Sequence, residues 1–128
     1  MHEYVFTVKV LGNPVRMRIL RLLLDAEQEL CVCEIVDVLE ENQFNVSRHL
    51  RKLEEAGLVV SSKKGKWVMY RVNPELDDFR VNLLQAIREI PCGYFQEDIR
   101  CLHERLSLRE EGECVVGISP SRYKSDGK

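Results

Sequence analysis

Residues 40–72 read EENQFNVSRHLRKLEEAGLVVSSKKGKWVMYRV, and within them the hydrophobic period changes from helical to extended. Glu40-Glu41-Asn42 is a polar tight turn. Val46, Leu50 and Leu53 recur at spacings of four and three, which predicts a helix from about Gln43 to Ala56 with one buried face. Gly57 stands where a C-terminal cap is expected. Leu58-Val59-Val60 and Trp67–Val72 are β-rich runs. The polar, basic segment from Ser61 to Lys66 lies between them with Gly65 inside it, which predicts a hairpin with an exposed tip.

Upstream, Val32, Ile35, Val36 and Leu39 predict a short helix that the tight turn joins to the longer one. Before it, Asn13 is a plausible N-cap and Pro14 suits the first helical position of a helix running to about Leu24. Asp25–Glu29 reads as a connector. Tyr4, Val5, Val8 and Leu11 fit one face of a first helix. Downstream, Asn73-Pro74 ends the hairpin, and a helix uses Leu76, Phe79, Leu83, Leu84, Ile87 and Ile90. Pro91-Cys92-Gly93 breaks it, and a last helix carries Phe95, Ile99, Leu102 and Leu106 on one seam. Two helices across a tight turn followed by a basic hairpin predict a mainly α winged helix-turn-helix fold with a small β-hairpin. Residues 1–111 are expected to form the domain. Residues 112–128 are expected to form a loose tail, disordered from Ser119.

The chain has 128 residues, 45% of them hydrophobic, enough for one core and too many for an acidic disordered chain. No apolar run approaches the roughly 18–20 residues of a membrane span. Met1-His2-Glu3-Tyr4 is not a basic region leading into an apolar stretch, so no secretory signal is read and a cytoplasmic location is expected. The net charge of −2 excludes a uniformly basic coat. The charge is unevenly spread, however. Residues 43–71 hold Arg48, Arg51, Lys52, Lys63, Lys64, Lys66 and Arg71 against Glu54 and Glu55, a net +5 that leaves −7 for the remainder.

A basic patch on a turn-helix-hairpin order is what phosphate contacts require. Gln43, Asn45, Ser47, Arg48 and His49 lie at the N-terminal end of the second helix, the part that enters the major groove in this geometry. Arg51, Lys52 and the wing lysines Lys63, Lys64 and Lys66 complete the expected DNA-binding set, with the lysines suited to phosphate. A solvated helix face beside a basic loop is the plainer reading of the same charges.

Five cysteines are an odd number for a disulfide framework. Cys31-Val32-Cys33 opens the first helix of the turn motif. Side chains two apart on a regular helix point nearly opposite ways. Both thiols can therefore close on one ion only where the backbone is extended or distorted, as at a helix start. A helix N-terminus also favours thiolate, and soft ions prefer thiolate ligands. An ion held there would pull on the helix that supports the DNA-reading helix, coupling ligand to DNA. The alternative is one cysteine packed beside Leu30 and the other incidental.

Several motifs together resemble the ArsR/SmtB family of metal-sensing winged-helix repressors. They are LGNPVRMRIL (11–20), ELCVCEI (29–35), QFNVSRHL (43–50), EAGLV (55–59) and KGKWVMYRV (64–72). The resemblance implies a homodimer formed through terminal helices, bound to operator DNA without any cofactor and released when an ion binds. It implies Cys31 and Cys33 as ligands for a trivalent arsenical or antimonial, As(III) or Sb(III), acting as inducer. Members with a site confined to this helix carry a third cysteine where this chain has Val36.

Cys114 is expected to supply the missing thiolate, in the same chain or across the dimer. Cadmium and lead sensors of the family add cysteines from the N-terminal arm, and Met1–Thr7 has none, though His2 is available. The zinc or nickel site of other members needs His on the dimer helix, absent from Leu76–Ile90. Cys101 reads as a small buried hydrophobe at a dimer interface, and Cys92 with Cys101 could form a separate thiol site. The alternatives are the same repressor sensing cadmium, lead or thiol oxidation, and a small thiol oxidoreductase. The last would require C-x-x-C near a βαβ pattern. Neither is present, so no enzyme is expected.

Overall fold

A computed structural model describes residues 1–118; the expected disorder of Ser119–Lys128 lies outside the described residues. Helix α1 covers His2–Leu11 and α2 covers Pro14–Ala26. Asn13 caps α2 by accepting from the Arg16 amide at 3.1 Å, and Pro14 occupies the first turn, where no donor is needed. The helix runs to Ala26, two residues past the predicted end, because Glu27 closes it in the left-handed region at φ 55°.

Helix α3 is Val32–Leu39 and α4 is Gln43–Glu55. Asn42 caps α4 by accepting from the Asn45 amide at 2.8 Å. Its far end closes with Gly57 at φ 77°. There the Gly57 amide donates to Glu54 and the Leu58 amide to Leu53, the paired bonds of a Schellman cap. This cap turns the chain directly into the wing. Strands β2 (Val59–Lys64) and β3 (Trp67–Val72) pair antiparallel around a two-residue turn with Gly65 at φ 60°.

One element was not expected. Leu30–Cys31 is a strand, β1, pairing antiparallel with β3 through Leu30–Tyr70 and Cys31–Met69, so the sheet order is β1-β3-β2. Two residues carry no periodicity, so only the partner strand reveals them.

Helix α5 is Asp78–Arg88, starting two residues later than Leu76 because Asp77 is the cap, accepting from the Arg80 amide at 2.9 Å. A 3-10 turn, Cys92–Phe95, follows the Pro91 break and leads into α6, Gln96–Leu106. The core is built from Ile19, Leu20, Leu22 and Leu23 of α2, Ile35 and Val38 of α3, Val46, Leu50 and Leu53 of α4, Leu84 and Ile87 of α5, and Leu102 of α6. Cys101 belongs to this core within one chain, so its burial needs no second subunit.

The tail is not loose where it begins. Glu110 and Glu113 exchange backbone bonds of 3.0 and 2.9 Å around Glu111 (φ 54°) and Gly112 (φ 78°). Positive φ at both central residues is the signature of a type I′ turn. The turn sends the chain back toward the start of α3 and buries Cys114. Among the described residues, no helix is long and apolar enough to cross a membrane.

Candidate metal centre and nucleic-acid interface

Cys31 ends β1 with extended backbone (φ −73°, ψ 147°), and Cys33 is the second residue of α3. The change from strand to helix between them removes the divergence that a continuous helix would impose. The Cys33 thiol donates to Cys31 Sγ at 2.7 Å. Cys114 Sγ lies 3.6 Å from Cys33 Sγ, and the three sulfurs all fall within 4.8 Å of one another. They belong to one chain, so the arrangement needs no partner subunit. An ion bonded to sulfur at about 2.3 Å brackets sulfurs roughly 3.5–4 Å apart; the Cys33–Cys114 separation matches this, and Cys31 and Cys33 must move apart to take the same ion. Among the described residues this is the one grouping of three metal-ligating side chains.

The thiols are not equivalent. The bond donated by Cys33 is the largest cause holding the Cys31 thiol at about 7, below the ordinary 9.0. The same bond, with burial, pushes Cys33 up. Burial first, then the charge of Glu34, pushes Cys114 up. Cys31 is therefore the thiol that ionises first, around neutral pH, while Cys33 and Cys114 stay protonated beside it.

Buried charges surround the sulfurs. Glu34 accepts from the Cys31 amide at 2.8 Å, completing one half of a capping box, and also takes both arms of Arg109 at 2.7 and 2.8 Å. One turn on, Asp37 accepts from Arg105 Nε at 2.7 Å, with both side chains essentially excluded from solvent. Sequence reasoning passed over these four residues as ordinary helix charges. Glu34 and Asp37 sit three apart inside an otherwise apolar helix and so share a face, which was the available signal; Arg109 lies beyond the end of α6 and reaches Glu34 from the turn that follows.

The remaining cysteines stand apart from this centre. Cys92 is exposed and accepts from Arg21 Nη2 at 3.2 Å. Buried Cys101 donates to Glu97 at 3.4 Å.

On α4, Gln43, Arg48, Arg51 and Lys52 are exposed, while Asn45 and Ser47 are half-buried. Arg48 Nη2 donates to Asn45 Oδ1 at 3.0 Å, which aligns two side chains able to read base edges. Phe44, on the same end, is 71% exposed, a position that the charge pattern could not mark. His49 is placed differently from the expectation. It is buried, with Nδ1 3.1 Å from Arg16 Nη1, so it ties α4 to α2 and does not face outward with the others. Burial and the cations Arg16 and Arg48 hold its pKa below the usual histidine range.

On the wing, Lys63, Lys64 and Lys66 are all exposed. Lys64 pairs with Glu29, and Lys66 lies 4.9 Å from the Trp67 ring centre. A cavity of about 390 Å³ is shared by the two regions: Cys31 and Cys33 line it together with Gln43, Ser47, Arg51 and Lys66.

Comparison with known proteins decides the family. Residues 13–61 match the bacterial regulatory proteins of the arsR family. Over 105 residues the chain is 42% identical to the arsenic resistance transcriptional regulator ArsR1 of Pseudomonas putida, covering 82% of this chain and 77% of that one. This chain belongs to the arsR family. It is a DNA-binding transcriptional regulator with a winged helix-turn-helix fold. It is 40% identical over 76 residues to the arsenical resistance operon repressor of Escherichia coli, covering 59% of this chain and 64% of that one. Its similarity extends to a cadmium resistance regulatory protein CadC homolog of Staphylococcus aureus, 36% identical over 67 residues, covering 52% of this chain and 54% of that one. Among solved structures, reduced HlyU from Vibrio cholerae superposes with a TM-score of 0.60 at 30% identity, covering 71% of this chain and 90% of that one. An arsR-family chain thus carries its thiol cluster at the start of the helix that supports α4.

Proposed function

We propose that this protein is a cytoplasmic homodimeric repressor that leaves its operator when As(III) or Sb(III) is bound by Cys31, Cys33 and Cys114. The observation that carries this reading is the convergence of three sulfurs, one from β1, one from α3 and one from the tail. Arsenic-resistance relatives supply the ligand class.

The sulfurs sit where a small displacement has leverage. Cys31 is hydrogen-bonded into the sheet opposite Met69, so its movement reaches the wing through β3. Cys33 moves with α3, which packs against α4. The shared cavity places Gln43, Ser47, Arg51 and Lys66 next to the same two thiols. Spreading Cys31 and Cys33 from 2.7 Å to admit an ion moves β1 against α3 and so reorients both DNA-contacting elements about one hinge, giving the two sites a coupling free energy.

Gln43, Asn45, Ser47 and Arg48 read the major groove, and Arg51, Lys52, Lys63, Lys64 and Lys66 bind phosphate. His49 sets the pose of α4 through Arg16. The dimer forms through the terminal helices, where Tyr4, Val5 and Val8 of α1 and Val81 of α5 stand exposed and Tyr4 meets Phe79 edge-on at 4.8 Å.

The test is operator binding with arsenite, antimonite, cadmium, lead, zinc and peroxide titrated in turn against wild type and a Cys31→Ser/Cys33→Ser variant. The reading expects arsenite and antimonite to release the wild type at concentrations that leave the variant bound. Equal release of both proteins excludes the site. Release by cadmium or peroxide alone transfers the same thiols to that signal.

A further inference from the structure

We infer that Arg105 is a positioning residue that presents Cys114 to Cys31 and Cys33. The inference rests on the three-thiol reading and names what holds its tail ligand in place. Cys114 comes from a segment with no helix or strand of its own beyond the bridge at Glu110–Glu113. Exposed segments of this kind sample many conformations, and ordering one costs conformational entropy for every residue fixed. Something must hold residues 114–117 against α3.

Arg105 does this with a single guanidinium. Its Nε donates to Asp37 at 2.7 Å, which fixes the plane of the group on α3. Its Nη2 donates to the carbonyls of Val116 at 2.6 Å and Gly117 at 3.1 Å. The same nitrogen lies 3.7 Å from Cys33 Sγ. One cation therefore touches α3, the tail on the far side of Cys114, and the middle sulfur of the cluster.

The rigid fork of arginine suits this task, because each arm keeps a fixed direction once one arm is anchored. Cys114 is thus bracketed. The turn at Glu110–Glu113 sets the chain's return, and Arg105 holds it two and three residues later. The carbonyl of Val116 also accepts from the Cys114 thiol at 3.6 Å and lies 3.7 Å from Cys33 Sγ, so the peptide that Arg105 grips is the one against which both sulfurs rest. A supporting residue of this type typically changes metal affinity by about 10–100-fold when lost.

Removing Arg105 alone would strand Asp37 as a buried charge, so the primary variant is Asp37→Leu/Arg105→Leu, which removes both charges together. A second variant, Arg105→Lys, keeps the charge on Asp37 but lacks the fork. Three readouts apply to the full-length protein: the number of sulfurs around bound As(III) by X-ray absorption, arsenite affinity, and the rate at which a maleimide labels Cys114 without arsenite, read by mass spectrometry. Cooperative melting and retained operator binding identify a folded variant; if the double variant fails this check, Arg105→Lys carries the test.

The inference expects three sulfurs in wild type and two in the variant, with arsenite affinity lower by about 10–100-fold and Cys114 labelled at least several-fold faster. It also expects no further loss when Arg105 is substituted in a Cys114→Ser background. A folded variant with three sulfurs and wild-type labelling overturns the role of Arg105 and leaves the three-thiol reading standing. Wild type with only two sulfurs overturns the three-thiol reading, while faster labelling of Cys114 in the variant still supports Arg105 as the residue that holds the tail.

Discussion

Cys31 and Cys33 share a hydrogen bond because the chain changes from strand to helix between them, and that bond splits their acidities. The consequence is a pH dependence that separates candidate ligands. Arsenite in water is a neutral trihydroxide. Exchanging its three hydroxyls for three protonated thiols forms three As–S bonds, breaks three As–O bonds and releases three waters, with no proton left over. Above the Cys31 value of about 7 one thiol is already ionised, and a proton must be taken up to complete the third water. Arsenite affinity is therefore expected to be flat below that pH and to fall about tenfold per unit above it. Cadmium instead displaces protons from the two thiols held up by burial and hydrogen bonding, so its affinity should rise over the same interval. Calorimetric titration in buffers of different ionisation enthalpy counts these protons directly; an arsenite affinity that rises with pH would contradict the assignment of Cys31.

At the level of elements, the legible parts were those with enough residues to show a period. Val46, Leu50 and Leu53 mark α4, and the β-rich run at Trp67–Val72 marks the wing, because each element spans several repeats of its own pattern. Strand β1 has two residues and no repeat, and it exists because Met69 and Tyr70 offer it an edge. The buried pairs Glu34–Arg109 and Asp37–Arg105 were illegible for a different reason. A sequence shows which charges share a helix face but not that another segment covers that face. The same limit explains His49, whose burial depends on Arg16 reaching it from α2. Cys31 and Cys33 were legible by spacing, and Cys114 by little more than the want of a third thiol.

The junction between α4 and the wing is an element whose backbone can be tested. Gly57 sits at φ 77°, and a Cβ there would stand 3.1 Å from Arg80 Nε, itself bonded to the Ala56 carbonyl at 2.8 Å. Gly57→Ala is expected to destabilise the fold by about 1–2 kcal/mol. Urea unfolding measures this, and an unchanged midpoint would show that the cap does not require glycine.

On the scale of the whole molecule, a net charge of −2 conceals a basic face on an acidic body, so approach to DNA is oriented before any base is read. In the proposed dimer, operator binding gains a second linked contact, commonly worth a factor of about 10²–10⁴ in avidity. Val5 and Val8 are half exposed on α1, so Val5→Glu/Val8→Glu should leave the protomer folded. Sedimentation should then report a monomer, and operator affinity should fall by about 10² or more; a dimer of unchanged affinity would move the interface elsewhere. The central claim is that three sulfurs from three separate segments form the sensor. It is tested most directly by the arsenite concentration that half-releases the operator complex, compared between wild type and Cys114→Ser. Loss of one of three thiolates should raise that concentration by about tenfold or more while leaving ligand-free DNA binding intact, and an identical release curve for the two proteins would contradict the claim.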